Sequence, residues 1–403
     1  VRLRIVDYRP HTGGGRRFVV QLVNALHAGS KELELEFLSH GEALAQMRAM
    51  ASEHGIRARF IDLPFGGGLP TADFSWYQVP PAALDDCDVA WFPWIHHHRI
   101  PADAGRHVVG TFHDALMFTE PQLTSRFPSL ASRERETTRQ WLESAATLVC
   151  SSQFTRDVLH RDLHSAPDRL AVVALSGRHV LPPAARDSGT NGLPWLDAPF
   201  LLCPANVSWH KNHEVLLEAY AESAVPWPLV LTGTGSDLAN WLPPVRRALR
   251  RVAVAVGLRP PHRSAVLRRL VGRLALADGQ AIMPMGYLPD ADYETVLDHA
   301  ACLVMPTLGE GGGSFPVEEA VLRGVPVICS DIPVMREHMA RLGASVAWFD
   351  PRLPRDLAAR LREMKDHYQA VRLAAREQVR RLRVREWTDV AADYLNIFRT
   401  AAA

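Results

Sequence analysis

Lysine is nearly missing from this chain: of 45 basic residues only Lys31, Lys211 and Lys365 are lysine. Arginine is the default cation, so a retained lysine such as Lys211 is a candidate for chemistry rather than for solvation. Net charge is missing too, since Lys+Arg 45 against Asp+Glu 44 leaves +1. A balance of that kind points to no nucleic-acid partner. Cysteine is scarce and unpaired in pattern. Cys150, Cys203, Cys302 and Cys329 lie in apolar, strand-like runs, and with Cys87 they show no CxxC spacing. They read as free thiols of a reducing compartment rather than a disulfide or zinc framework. No apolar run approaches the roughly 20 residues that span a bilayer, and no secretory leader is evident. Internal repeats and low-complexity segments are likewise lacking.

What is present is a rhythm. Short apolar runs at 2–7, 33–39, 57–62, 88–93, 107–112, 147–151 and 170–174 alternate with helical periodicity, as at 16–27 and 154–164. That is the βαβ pattern of a parallel sheet covered by helices. A stretch rich in Pro, Gly and small polar residues, 182–194, interrupts it and predicts an interdomain linker. The rhythm restarts with strands at 200–203, 229–232, 281–285, 302–305 and 325–329. Helices are predicted between them at 213–224, 292–300 and 317–323. Two long helices, 355–381 and 385–399, end the chain. The predicted division is 1–184, 185–384 and a terminal segment 385–403. An Arg-rich stretch, 244–273, reads as a solvated helical insertion. The alternative is a docking face for an acidic protein or a membrane surface.

The segment richest in chemistry runs from Met305 to Cys329. A buried strand ends at Pro306, a glycine-rich loop follows, and a helix begins near Pro316, where proline's missing N–H costs nothing. The N–H groups of Gly311, Gly312, Gly313, Ser314 and Phe315 form an anion site suited to phosphate. Glycines let the backbone approach such a ligand closely. Carboxylates repel phosphate, so Glu310 and a glutamate of the helix suit sugar hydroxyls instead. The plain alternative is a tight turn flanked by surface acids.

In its order of Glu310, glycine-rich loop, Pro316-Val-Glu-Glu319-Ala320 and Gly324-Val-Pro-Val327, this segment resembles the donor site of the retaining GT-B glycosyltransferases of family 4, the glycosyl transferases group 1. The resemblance covers most of the chain. Ala205-Asn206-Val-Ser-Trp-His-Lys211-Asn212 is similar to the family segment that brings a lysine to the donor diphosphate. Leu231-Thr-Gly233-Thr-Gly235 matches its Gly-x-Gly turn. Met285-Gly-Tyr287-Leu-Pro-Asp290 matches the turn whose residue after Gly meets the nucleobase. His113-Asp114 stands where the family has His-Asp, and His11-Thr-Gly13-Gly14-Gly15 matches its first glycine loop. Trp387 fits the tail that returns to the first domain.

The resemblance implies two Rossmann-like domains facing across a cleft, with the acceptor on the first and the donor on the second. It implies a bacterial, cytoplasmic enzyme of the mannosyltransferase-like subset that moves a hexose from a GDP- or UDP-sugar to a hydroxyl of a glycan or small molecule. It also implies retention of configuration without metal or other cofactor. Lys211 and the loop amides would hold the diphosphate, Glu310 the sugar hydroxyls, and His113 would position donor or acceptor. Asn206, Gly233, Gly235, Tyr287 and Phe315 would border the donor. Two departures stand out. Asn206 replaces a common arginine, so one cation is absent or comes from elsewhere, such as Arg16 or Arg17. The acidic loop also carries an extra residue. The usual interval from Glu310 ends on Glu318, whereas the helix register selects Glu319 for the donor ribose.

Weaker signals have competing readings. His96-His-His98 suggests a metal, but adjacent histidines rarely converge. With Trp91 and Trp94 they read as lining of an acceptor pocket, since aromatic faces suit sugar rings. His113 could also be an ordinary core histidine. Asp86-Cys-Asp88 and Asp290-Ala-Asp292 read as acidic caps rather than metal ligands. A dinucleotide oxidoreductase would need Gly-x-Gly-x-x-Gly, which His11–Arg17 lacks. The rival outside catalysis is a silent nucleotide-sugar-binding partner protein.

Overall fold

The structure, a computed structural model, describes all residues except 12, 65–76, 101–106, 121–127, 165–168, 179–193, 239–262 and 277–280, and not the side chains of 97 and 128–131. All but the last residue of the predicted linker at 182–194, and residues 244–262 of the Arg-rich stretch, lie outside the described residues. The chain divides into two units. One comprises Val1–Pro182, Gly309–Phe315 and Val384–Ala403, the other Pro183–Leu308 and Pro316–Arg383.

In the first unit the apolar runs become seven strands: β1 (Arg2–Val6), β2 (Glu34–Ser39), β3 (Arg59–Asp62), β4 (Val89–Phe92), β5 (Val108–Phe112), β6 (Thr147–Cys150) and β7 (Leu170–Val172). They pair in the order β3-β2-β1-β4-β5-β6-β7, every pairing parallel. Every residue of β4 and β5 is buried, as expected where helices cover both faces of a sheet. The strand order reverses direction between β1 and β4. Such a switch point leaves a crevice at the carboxyl ends of the strands, where α/β proteins bind ligands.

The C-terminal helix Trp387–Ala402 belongs to this unit because Trp387, Val390, Ala391, Tyr394 and Phe398 form one buried stripe. Phe398 lies 5.7 Å from Trp91 and Tyr394 lies 6.3 Å from Phe18 of the helix Gly13–Gly29. Trp387 Nε1 donates to the Arg178 carbonyl at 2.7 Å. Each such aromatic side chain adds about 1.5–3 kcal/mol by leaving water.

The second unit repeats the plan with β8 (Leu201–Pro204), β9 (Leu229–Thr232), β10 (Ile282–Gly286), β11 (Cys302–Met305), β12 (Val327–Ser330) and β13 (Ala347–Phe349). Their order is β10-β9-β8-β11-β12-β13, again parallel, with the switch point between β8 and β11. The edge strand β13 has three residues and left no readable run in the sequence. The single helix predicted over 355–381 is two, Pro354–Asp366 and Tyr368–Gln378, followed by a 3₁₀ turn, Val379–Arg381. His367 leaves helical geometry at φ −113°, ψ 19°. The break sets the Tyr368 ring edge-on to Trp227 at 5.0 Å. Tertiary packing outweighs a continuous propensity here.

All five cysteines are free, with Cys87 half-buried and the others buried. Burial pushes the Cys203 thiol up to about 12, partly countered by Lys211. Of the Arg-rich stretch, Arg263–Arg273 is a helix whose Leu267, Leu270 and Val271 are buried. That part is packed rather than solvated. No described helix is long and apolar enough to cross a membrane.

Candidate functional site

The carboxyl edge of the second sheet is built by loops that interlock through their backbones. After β8 comes Ala205-Asn206, then a 3₁₀ turn Trp209–Lys211. Asn212 ends that turn at φ 54°, a left-handed conformation that Asn tolerates better than most residues. Its amide donates to the Pro351 carbonyl at 2.7 Å. The His210 carbonyl accepts from Leu308 N–H at 2.7 Å and from the Thr307 hydroxyl at 3.2 Å. The turn carrying Lys211 is thereby tied to the chain leaving β11. Asn206 folds its side chain back, accepting from Ser208 N–H at 3.0 Å and from the Ser208 hydroxyl.

Gly233 and Gly235 follow β9 at φ 115° and 80°. A first side-chain carbon on Gly233 would lie 2.7–2.8 Å from Ala205 and Asn206 backbone atoms. Gly233 N–H donates to the Gly286 carbonyl at 2.7 Å, joining the loops after β9 and β10. Tyr287 follows β10 and is 54% exposed. The helix Phe315–Leu322 follows β11 and carries both glutamates, each buried. Glu318 accepts from His338 Nε2 at 2.6 Å, with Arg341 3.8 Å away. Glu319 Oε2 accepts the Tyr293 hydroxyl at 3.0 Å. The loops that flank this switch point thus carry Lys211 on one side and Glu319 on the other.

Arg263 stacks over Trp209 at 4.0 Å, donates to the Val207 carbonyl and pairs with Glu214. Sequence reasoning missed it within the arginine bias, and the same holds for Tyr293 and His338, which no motif marks.

The first unit assembles a second set at the carboxyl edge of its own sheet. His113 follows β5; its Nε2 donates to the Pro93 carbonyl at 2.8 Å and its Nδ1 accepts from the Ser151 hydroxyl at 3.2 Å. Both nitrogens are therefore used by a neutral ring. Burial accordingly depresses its pKa to about 3. The ring stacks on Trp94 at 4.0 Å and meets Phe18 edge-on at 4.6 Å. Asp114 accepts from Leu116 N–H at 3.2 Å.

His96 turns toward the core rather than toward a pocket. Its Nδ1 lies 3.1 Å from Glu134 and its ring 4.8 Å from Phe112. Burial lowers its pKa, but the Glu134 carboxylate outweighs that and the net shift is upward. His98 instead bonds to the Trp94 carbonyl and to Tyr8 N–H. His96 and His98 thus serve separate partners, and no group of three metal-ligating side chains occurs among the described residues.

The loop Gly309–Phe315 packs with this unit. The Gly311 carbonyl accepts from the Ser152 hydroxyl at 2.7 Å and from Thr155 at 3.0 Å. A side chain on Gly311 would begin 1.7 Å from the His113 carbonyl oxygen, and one on Gly312 would begin 2.6 Å from Ser151 Cβ. Gly313 sits at φ 106°. Two of the three glycines therefore answer close approach and one a left-handed backbone. Ser314 is buried, and the Phe315 ring packs beside Gly14 and 6.2 Å from Trp387. Gly13 opens its helix at φ 56°, and Gly15 lies against His11 and Trp94.

Comparison with known proteins bears on fold and family. Residues 192–381 match the profile of the glycosyl transferases group 1. The chain is 27% identical over 364 residues to O-antigen chain mannosyltransferase B of Escherichia coli, covering 83% of this chain and 82% of that protein. It superposes on HepE of Anabaena, solved with UDP and glucose, with TM-score 0.65 at 12% identity over 99% of each chain. Sucrose-phosphate synthase of Thermosynechococcus elongatus gives TM-score 0.67 at 17% identity, over 99% of this chain and 98% of that one. Residues 192–381 are thus similar to the glycosyl transferases group 1, and the two large parallel sheets are those of the GT-B fold.

Proposed function

We propose that this chain is a retaining hexosyltransferase of family 4, using a GDP- or UDP-sugar and delivering the hexose to a hydroxyl of a glycan or small molecule. The observation that carries the reading is the carboxyl edge of the second sheet. There the loops bearing Lys211, Gly233, Gly235, Tyr287 and Glu319 follow four adjacent strands around one switch point. The relative at 27% identity is a mannosyltransferase, and HepE was solved with UDP, which favours a nucleotide-sugar donor.

In this mechanism negative charge grows on the leaving diphosphate as the anomeric bond breaks. Lys211 and the amides of Gly312, Gly313 and Ser314 bind that charge more tightly than the ground state. Glu319, held by Tyr293, takes the ribose hydroxyls, and Tyr287 offers its exposed ring to the base. Glu310 orients the sugar. The acceptor hydroxyl attacks from the face the diphosphate leaves and gives its proton to that diphosphate. His113, neutral with both nitrogens engaged, orients groups and transfers no proton. Asn206, occupied with Ser208, shapes the loop. Peripheral contact with the inner face of a membrane, in a cytoplasmic protein, belongs to the same reading.

The test is a thermal-shift series with GDP, UDP, dTDP and their hexose conjugates, followed by donor turnover. A ligand at 100 times its dissociation constant should raise stability by about 2.7 kcal/mol. No response to any nucleotide would overturn the proposal. A response without hydrolysis or transfer would select the silent binding protein instead.

A further inference from the structure

Asp7 follows β1 and has no exposed surface. A buried carboxylate is costly unless it is paired. Burial pushes its pKa up, but its polar neighbours, His11 first among them, together outweigh burial and the carboxyl titrates below its ordinary range. His11 Nε2 lies 2.5 Å from Asp7 Oδ2, and Arg9 N–H donates to Oδ1 at 3.1 Å. His98 Nε2 is 3.9 Å away but is no ion-pair partner. That nitrogen accepts from Tyr8 N–H at 3.1 Å, and Nδ1 faces the Trp94 carbonyl at 2.8 Å, so the His98 ring is neutral. Among these side chains the one Asp7 holds is His11.

An ionised carboxylate only accepts, so His11 Nε2 donates to Asp7, and Nδ1 is the ring nitrogen left to face another group. Nδ1 faces Gly15. A side chain there would begin 3.1 Å from Nδ1 and 3.5 Å from the Trp94 ring. Gly15 lies inside the helix Gly13–Gly29 and has no left-handed backbone to explain it, so its bareness makes room for these two rings. Trp94 lies 5.4 Å from His11 and is backed by His113. His11 is 12% exposed and Trp94 half-buried, so both keep some accessible surface. The residues follow β1 and β4, the two strands that flank the switch point of the first sheet.

We propose that Asp7, His11 and Trp94 form a subsite for a neutral hexose of the acceptor. The sugar's C–H face lies on Trp94, and His11 Nδ1 makes a hydrogen bond with one hydroxyl. Asp7 is a positioning residue that acts through His11. The buried negative charge of Asp7 disfavours a phosphate in the same place. The inference deepens the glycosyltransferase reading and rests on it.

Saturation-transfer NMR on the full chain tests it, with methyl α-mannoside, methyl α-glucoside and methyl β-galactoside as probes. UDP- and GDP-induced thermal shifts are recorded on the same samples. At least one hexoside should bind the wild-type protein. His11→Phe keeps a flat ring without the nitrogen and should weaken that binding about tenfold, the worth of one hydrogen bond. The nucleotide shift should stay as in the wild type, which a collapsed fold would not allow. Asp7→Asn should also weaken hexoside binding; since Asp7 is buried, His11→Phe keeps the test open if that variant fails to fold. Unaltered binding in His11→Phe, or no hexoside binding in a wild type that responds to nucleotides, overturns the subsite alone. A wild type that binds neither overturns the parent reading as well.

Discussion

At the scale of single residues, the same side-chain type is put to different uses by its surroundings. Glu318 and Glu319 are adjacent and both buried, yet one is paired with His338 and the other with a tyrosine hydroxyl. Glu318→Gln should therefore act on stability, costing about 3 kcal/mol as a broken buried pair and lowering Tm, with the donor KM unchanged. Glu319→Gln should do the reverse and raise the donor KM about tenfold with Tm near that of the wild type. Steady-state kinetics and melting curves on the two variants decide it, and the opposite pattern returns the ribose to Glu318. Lys211→Ala should lower kcat by about 100-fold or more while melting like the wild type, because charge on the diphosphate develops late. An unchanged kcat in a folded variant removes Lys211 from the mechanism.

His113 makes a prediction about pH. Its native pKa is depressed from the ordinary 6.5 to about 3, so between those values the unfolded chain takes up a proton that the native chain refuses. The stability it contributes is complete above pH 6.5 and is lost as pH falls toward 3, at no more than about 1.4 kcal/mol per pH unit. Tm measured across that window should fall less steeply in His113→Asn than in the wild type.

At the scale of elements, the loops after the strands matter more than the strands. Gly233 needs a left-handed backbone and also lies where any side chain would strike the Ala205-Asn206 backbone. Gly233→Ala should cost about 2 kcal/mol or more and disturb the Lys211 turn with it. Chemical denaturation and donor KM should move together, and an alanine variant with wild-type values for both would show that the loops are not interlocked. The helix Phe315–Leu322 illustrates a related limit. Each residue turns a helix by about 100°, so an insertion is absorbed in the glycine loop before it and not in the helix. The structure accordingly sends Glu318 toward the helix Pro333–Leu342 and Glu319 toward the helix Asp290–His299.

At the scale of the whole molecule, each unit is a doubly wound parallel sheet with its chemistry at one edge, and the proposed charge stabilisation uses protein groups alone. Transfer, or donor hydrolysis in its absence, should therefore survive EDTA. Loss of turnover that Mg²⁺ or Mn²⁺ restores would defeat metal independence.

The sequence by itself determined the strands of the two large sheets apart from the short edge strand β13, because central strands buried on both faces are largely apolar. It also determined which loops carry the glycines, since a close approach or a left-handed backbone tolerates little else. Tertiary structure alone decided the partners. Nothing local pairs Glu318 with His338, 20 residues away. Those choices depend on which helix lies beside which strand end, and hydrogen-bond geometry over a few ångströms leaves no periodic mark in a sequence. The same reason sets His96, read from the sequence as lining a pocket, beside Glu134, 38 residues along the chain.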